Sequence, residues 1–420
     1  MKIDPTRFRL MLRAFSSRNY RLFFMGQGIS LIGTWITQVA TIWLVYQLTD
    51  SSLFLGLVGF ASQIPNFILA PLGGIFVDRW NRHRLLVITQ ILLMSQSFVL
   101  AFLALTGMIH IWHIIILSIF QGIVSALEMP TRQAFVVEMV DNKENLGNAI
   151  ALNSTLFNSG RLIGPAIAGL LIAAVGSGVC FLIDGISFIA AIASFLAMNI
   201  KPKEISVLTN SPWERLKEGF VYSFSFPPIR AILMLLALVS FMGTSYIVLV
   251  PVFATKIMHG SADTLGFLMA ASGVGAFMAG IYLSSRQSIL GIEKLMVLSP
   301  IIWGIGLIGF SQSHTFWFSF LMMFLIGFGS IVEFTCCNTF LQTIVDDDKR
   351  GRVMSLYIMA FATIPFGNLF AGALAEKIGA SYTLTIAGIF CILGSAIFAK
   401  QLPALRQLVR PIYAKLGIIR

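Results

Sequence analysis

Long apolar stretches separated by short polar punctuation run through the whole chain. They fall at about 20–47, 54–77, 85–106, 111–137, 147–175 and 179–199, and again at about 229–254, 264–284, 294–311, 315–344, 353–375 and 382–400. Nearly all reach the roughly 20 residues that a helix needs to cross a hydrocarbon core. The pattern predicts an all-α membrane protein with twelve transmembrane helices in two groups of six. It divides the chain into a first bundle over 1–199, a linker over 200–228, a second bundle over 229–402 and a basic tail over 403–420. Within the linker Trp213, Leu216, Phe220 and Phe224 recur at helical spacing, which predicts a short amphipathic helix at the membrane surface.

Composition narrows the class further. The 420 residues are 57% hydrophobic and 11% charged, against about 25% charged in a soluble domain. Too little charge is present to cover a water-facing surface, so soluble enzymes and disordered chains are excluded. The cysteines Cys180, Cys336, Cys337 and Cys391 all sit in apolar runs. They form no CxxC and read as small core residues, so neither a disulfide scaffold nor a metal site is expected. The five histidines are scattered and form no cluster.

The net charge of +11 is spread beside the apolar runs, which argues for membrane orientation and against nucleic acid. With twelve alternating helices, one side collects Arg7, Arg9, Arg13, Arg18 and Arg21 of the N-terminal segment, Arg79, Arg82 and Arg84 after the second span, Lys349, Arg350 and Arg352 after the tenth, and Arg406, Arg410 and Lys415 of the tail. The other side receives only Lys256 and Lys377. Both termini are therefore expected in the cytoplasm. The first apolar run is too long for a cleavable signal peptide and is expected to stay. The tail alternates basic with apolar residues, as a segment lying on an anionic inner surface does; a frayed basic end is the alternative.

The halves repeat. A shift of 205 aligns Gly122 with Gly327, Ser125 with Ser330, Glu128 with Glu333, Phe135 with Phe340, Val140 with Val345 and Asp141 with Asp346. A parallel repeat of six helices implies a pseudo-two-fold axis along the membrane normal and a cavity between the halves.

After the second span comes Gly74-Ile-Phe-Val-Asp78-Arg79-Trp-Asn81-Arg82-His83-Arg84. This resembles the cytoplasmic loop motif Gly-x-x-x-Asp-Arg-x-Gly-Arg-Arg of the major facilitator superfamily, with Asn81 in place of the second Gly. Both residues tolerate the left-handed backbone that a tight turn can require. Asp78 can pair with a basic side chain and with the positive end of the eleventh helix near Val353, a latch that opens and closes the cytoplasmic side. A plain positive-inside loop is the alternative. Gly160-Arg161-Leu-Ile-Gly164-Pro165-Ala-Ile-Ala-Gly169 resembles the Gly-x-x-x-Gly-Pro-x-x-x-Gly motif of exporters in this superfamily, where small residues allow close helix approach and Pro165 permits a bend. Generic small-residue packing is the alternative. The run from Pro130 to Glu138 is similar to the end of the fourth helix in the branch that holds the enterobactin exporter and drug exporters. The resemblance implies the twelve-helix fold of two pseudo-symmetric bundles, and export, over nearly the whole chain.

Charges at membrane depth are rare and usually functional. Glu128, Arg132, Arg161, Asp184 and Glu333 are such charges. Arg132 lies one turn after Glu128, and Arg161 on the next helix is a second candidate partner. The pair can relay protons or simply fix helix register. Glu333 has no basic residue near it in sequence, which makes it the better candidate for a proton site. Gln38, Gln63, Asn66, Asn153, Asn158, Tyr246, Asn338, Tyr357 and Asn368, among many Phe and Met, would give a cavity suited to a large amphipathic molecule.

Gly304-Ile-Gly306-Leu-Ile-Gly309 matches the dinucleotide fingerprint literally, but it lies in an apolar span with no preceding strand. No phosphate-cradling Gly-x-x-x-x-Gly-Lys-Ser/Thr occurs. An enzyme is not expected, nor a cofactor. The expectation is a monomeric, proton-coupled exporter of an amphipathic small molecule such as a siderophore or drug, in a bacterial inner membrane and working by alternating access. A lysophospholipid flippase is the alternative on the same fold, and a non-transporting receptor a remote one.

Overall fold

The computed structural model describes residues 13–140, 142–200, 222–286, 288–345 and 347–415, without the side chains of 70–79, 143, 347, 348, 351, 352, 412 and 415. Among the described residues there are helices and no strand. In chain order they are α1 (Arg18–Thr49), α2 (Ser52–Arg79), α3 (Arg82–Leu105), α4 (Ile111–Met139), α5 (Leu146–Leu196), α6 (Pro227–Gly243), α7 (Tyr246–Val252), α8 (Ala262–Ser284), α9 (Ile292–Ser311), α10 (Phe316–Ile344), α11 (Asp347–Phe361), α12 (Ile364–Ile378) and α13 (Ala380–Lys415). Trp213, Leu216 and Phe220, where a surface helix is predicted, lie outside the described residues.

Among the described residues, eleven stretches are long and apolar enough to cross a membrane, against twelve predicted. The difference sits in α5. The predicted spans 147–175 and 179–199 run on without a loop, as 51 residues broken only at Gly176, whose φ is 80° and ψ 168°. That backbone carries a steric cost for any residue with a Cβ. Elsewhere short breaks leave a span intact, as between α6 and α7 and between α11 and α12. Polar backbone can be interrupted so briefly only where neighbouring helices satisfy it.

The chain forms two compact units, Met1–Leu48 with Ala61–Leu208 and Thr49–Phe60 with Thr209–Arg420. In the first, α3 packs against α4 and along α5. One end of this unit is closed by Tyr20, Phe23, Leu86, Phe135, Met139 and Phe195, all fully buried. Tyr20 donates its hydroxyl proton to the carbonyl of Ala149 at 2.8 Å, which gives a buried phenol a partner. In the second unit, α10 packs against α8 and α9, and α13 against α9 and α6. Trp303 is fully buried there, and a Cβ at Gly243 or Gly329 would press into it. Arg406 Nε reaches Glu293 Oε1 at 3.1 Å and ties the basic tail, still helical through Pro403 and Pro411, to the start of α9.

The internal repeat is visible in the elements themselves. Helices α4 and α10 are each 29 residues long, and a shift of 205 carries both ends of one onto the other. Val140 and Val345, aligned by the same shift, end them in the same extended conformation. Gly122 lets α4 approach α2 at Ser62, and Gly327 lets α10 approach α8 at Ser272.

Candidate functional site

Four carboxyl groups within the helices have distinct settings. Glu128 on α4 accepts from Arg132 Nε at 2.9 Å, and both side chains are nearly buried. The spacing explains the contact: residues four apart share a helix face. Glu138, one end of the same helix, accepts from Arg82 Nη1 at 2.8 Å. Asp184 is buried in the first unit and accepts from Ser97 Oγ of α3 at 2.8 Å. Ser187, one turn later, bonds the carbonyl of Asp184 at 2.8 Å.

Glu333 has the most enclosed setting, with none of its surface exposed. Ser299 Oγ on α9 donates to its Oε2 at 2.7 Å, and Cys337 Sγ donates to its Oε1 at 3.2 Å. No ion pair reaches it among the described residues. Its two donors are therefore neutral, and the carboxyl can exchange a proton without breaking a salt bridge. Ser299 Oγ also lies 2.6 Å from the Leu295 carbonyl, an alternative acceptor for its single proton.

Arg161, the second partner considered for Glu128, stands apart. It is half-buried in α5 and makes no hydrogen bond or ion pair among the described residues. Glu128 is matched with Arg132. The small residues around Arg161 are packing positions. Gly160 meets Leu31 at 3.0 Å from where its Cβ would lie, and a Cβ at Gly164 would collide with Trp35. Trp35 also meets Phe157 edge-on, with ring centroids 6.2 Å apart. Pro165 and Gly169 are buried as well, on a different side of the helix. The stripe was legible in sequence as small residues; Trp35 as its partner was not, because nothing in spacing links it to α5.

Of the loop motif, the side chains of Gly74, Asp78 and Arg79 lie outside the described residues. Arg82 is bound to Glu138. The backbone N–H of Arg84 donates to Asn81 Oδ1 at 3.0 Å. Asn81 is the N-cap of α3, with φ −65° and ψ 112°. The residue that replaces the motif's second Gly thus satisfies a free helix N–H, and the left-handed backbone allowed for it is not used.

The predicted cavity residues divide into open and packed ones. Gln38 and Asn158 are exposed, and Gln63, Asn66, Asn153 and Asn338 half-buried. Asn158 donates to the Ser154 carbonyl at 2.9 Å. Tyr246, Tyr357 and Asn368 are buried in the second unit. Tyr246 shares a 2.8 Å bond with Ser272, Tyr357 donates to the Phe334 carbonyl at 3.0 Å, and Asn338 is bonded by Gln342. Asn368 Oδ1 is buried without a partner among the described residues. Ser97, Ser299 and Cys337 were missed; only the folded chain brings the serines to the carboxyl groups.

The second unit also places a carboxylate on a helix start. Glu376 Oε2 accepts from Ser51 Oγ at 3.0 Å and from the Leu53 N–H at 3.2 Å, at the first turn of α2. Beside it Lys256 Nζ lies 3.0 Å from Asp50 Oδ1.

Residues 11–409 match the model of a family described as transmembrane secretion effector. The chain is 30% identical over 383 residues to a staphyloferrin A transporter of Staphylococcus aureus (strain NCTC 8325 / PS 47), covering 90% of this chain and 95% of that protein. It is 24% identical to an enterobactin exporter of Shigella boydii serotype 4 (strain Sb227), covering 87% and 86%. Among solved structures, a peptide transporter POT in complex with sulfate superposes with a TM-score of 0.74 at 11% identity, covering 93% of this chain and 96% of that one.

Proposed function

The chain belongs to the transmembrane secretion effector family of the major facilitator superfamily, a multi-pass membrane transporter and not an enzyme, and on that premise we propose that it exports an amphipathic small molecule in exchange for protons. The observation that carries the proton part is Glu333: fully buried, held by one hydroxyl and one thiol, with no ion pair among the described residues. A carboxyl that carries its proton into an apolar interior and releases it to water on the other side is the minimal device for coupling. Relatives named for a siderophore and for enterobactin export support a siderophore-like substrate. Alternating access then proceeds by rocking of the two repeats. The distribution of Lys and Arg supports cytoplasmic termini in a bacterial inner membrane.

The experiment uses the purified full chain in proteoliposomes with an imposed pH gradient. It follows a siderophore, a lipophilic cation and a lysolipid, with Glu333→Gln as control. Gradient-dependent movement of a water-dispersed compound, lost in the control, is the expected result. Lysolipid crossing at one rate with and without the gradient makes the protein a flippase and removes the role given to Glu333.

A further inference from the structure

We propose that Arg161 is an anion-binding group at the bilayer midplane, which recognises a carboxylate or a similarly charged oxygen pair on the transported molecule. The inference deepens the exporter reading and rests on it for the identity of the ligand as cargo.

Depth is the first argument. Arg161 lies fifteen residues after Leu146 and fifteen before the break at Gly176. At 1.5 Å per residue that is about 22 Å from either end of the stretch, beyond the reach of an arginine side chain that snorkels to the headgroups. A charge at that depth costs at least about 2.5 kcal/mol and normally faces a partner or water.

The second argument is what surrounds it. Glu128, Glu138, Asp184 and Glu333 are each bonded to other groups. Arg161 has no hydrogen bond or ion pair among the described residues. The fold has therefore left this cation's counter-charge to something other than these side chains.

Helix geometry says where it is open. Ser154, Asn158 and Arg161 follow at spacings of four and three, which places them on one face. Ser154 and Asn158 are exposed, and Phe157 between them is exposed as well. Gly160 and Gly164 occupy an adjoining side, packed on Trp35. Ile163 and Leu170, both exposed and apolar, lie on the far side, as lipid contact requires. So up to Arg161 α5 has one packed side, one apolar side and one open polar side; one turn further on that face is closed by buried Pro165 and Ala168, and the cation stands at the inner end of the open stretch. Exposed Ser154 and Asn158 beside the half-buried Arg161 make a water-facing wall. Its neighbour Phe157 offers an apolar surface next to the charge, which fits an amphipathic anion. A guanidinium binds two oxygens of a carboxylate at once through a rigid fork, which a lysine cannot reproduce.

The test measures binding to the detergent-solubilised full chain by calorimetry. The probes are a citrate-based carboxylate siderophore, its fully methylated ester, and lysophosphatidylglycerol. The variants are Arg161→Gln and Arg161→Lys; because Arg161 holds no internal partner, neither lowers the unfolding temperature of the ligand-free protein. The expected result is that esterification and Arg161→Gln each weaken siderophore binding roughly tenfold or more, with partial recovery in Arg161→Lys. Arg161-dependent binding of lysophosphatidylglycerol alone keeps the anion site and overturns the exporter reading in favour of a flippase. Equal binding of acid and ester, equal binding by wild type and Arg161→Gln, or no binding of either anion overturns the proposal.

Discussion

Cys337 Sγ donates to Glu333 Oε1 at 3.2 Å across the same four-residue spacing by which Arg132 Nε reaches Glu128 Oε1 at 2.9 Å. The shift of 205 that superposes α10 on α4 carries Arg132 onto Cys337. One repeat therefore keeps a cation one turn after its glutamate, and the other has a thiol there. The first arrangement gives its carboxylate a charged donor. The second leaves a carboxyl whose partners tolerate either protonation state.

This asymmetry sets the first prediction. Glu333→Gln keeps the shape of the side chain and is expected to fold, while transport driven by a pH gradient is lost. Ser299→Ala removes one donor from the same carboxyl and lowers stability by about 1–2 kcal/mol. Thermal unfolding in detergent reads the second effect and proteoliposome flux the first. A Glu333→Gln protein with wild-type flux would falsify the assignment.

Breaking the pair in the other repeat should be more damaging to stability. Arg132→Gln leaves a nearly buried carboxylate unmatched, at about 2–4 kcal/mol. The double variant with Glu128→Gln should recover part of that loss. A double-mutant cycle on unfolding free energy checks it, and a coupling energy of zero means the two side chains act independently.

Packing around Trp35 predicts a third outcome. Gly164→Ala forces a Cβ onto Trp35 Cβ and should cost about 1–3 kcal/mol. Gly147→Ala, in the same helix with open space around it, is the control and should be near neutral. Equal unfolding temperatures for the two variants would remove Trp35 as the constraint.

At the start of α2, Glu376→Ala takes away the acceptor for Ser51 and the Leu53 N–H and should lower stability by about 1 kcal/mol. Lys256→Gln should matter less. Its partner Asp50 and the lysine itself are both more than half exposed, and such pairs contribute at most about 1 kcal/mol. Hydrogen exchange at the first turn of α2 is the direct readout: faster in Glu376→Ala, unchanged in Lys256→Gln.

The loop motif gives the last expectation. Asp78→Asn abolishes gradient-driven transport and leaves the protein folded in the membrane, because Arg82 retains its bond to Glu138. Flux and unfolding temperature measured on one preparation separate loss of gating from loss of fold.

Most of the architecture is readable in the sequence, and the reason is thermodynamic. Each span needs an unbroken apolar run bounded by charge, so α4, predicted at 111–137, is found at Ile111–Met139. What remained unread depends on through-space neighbours. Glu333 was recognisable as a charge without a basic residue close by in sequence; that Ser299 on another helix holds it was not. Arg161 was assigned Glu128 as a candidate partner because the two lie on consecutive spans, but the i,i+4 contact with Arg132 is made within one helix and needs no tertiary alignment. Asn81 was read through the motif's glycine as a turn residue, whereas its side-chain oxygen, which glycine lacks, is what α3 uses.

The single break at Gly176 has a consequence for biogenesis. A straight helix of 51 residues would extend about 77 Å, more than twice the roughly 30 Å apolar layer of a bilayer. During synthesis the insertion machinery meets this run with no hydrophilic loop at which to pause. Whether the nascent chain doubles back depends on one residue adopting a backbone that a bulkier side chain resists. A β-branched residue at 176 is therefore a lesion of topogenesis: every loop made afterwards risks being delivered to the wrong side, in a polypeptide whose individual helices remain sound.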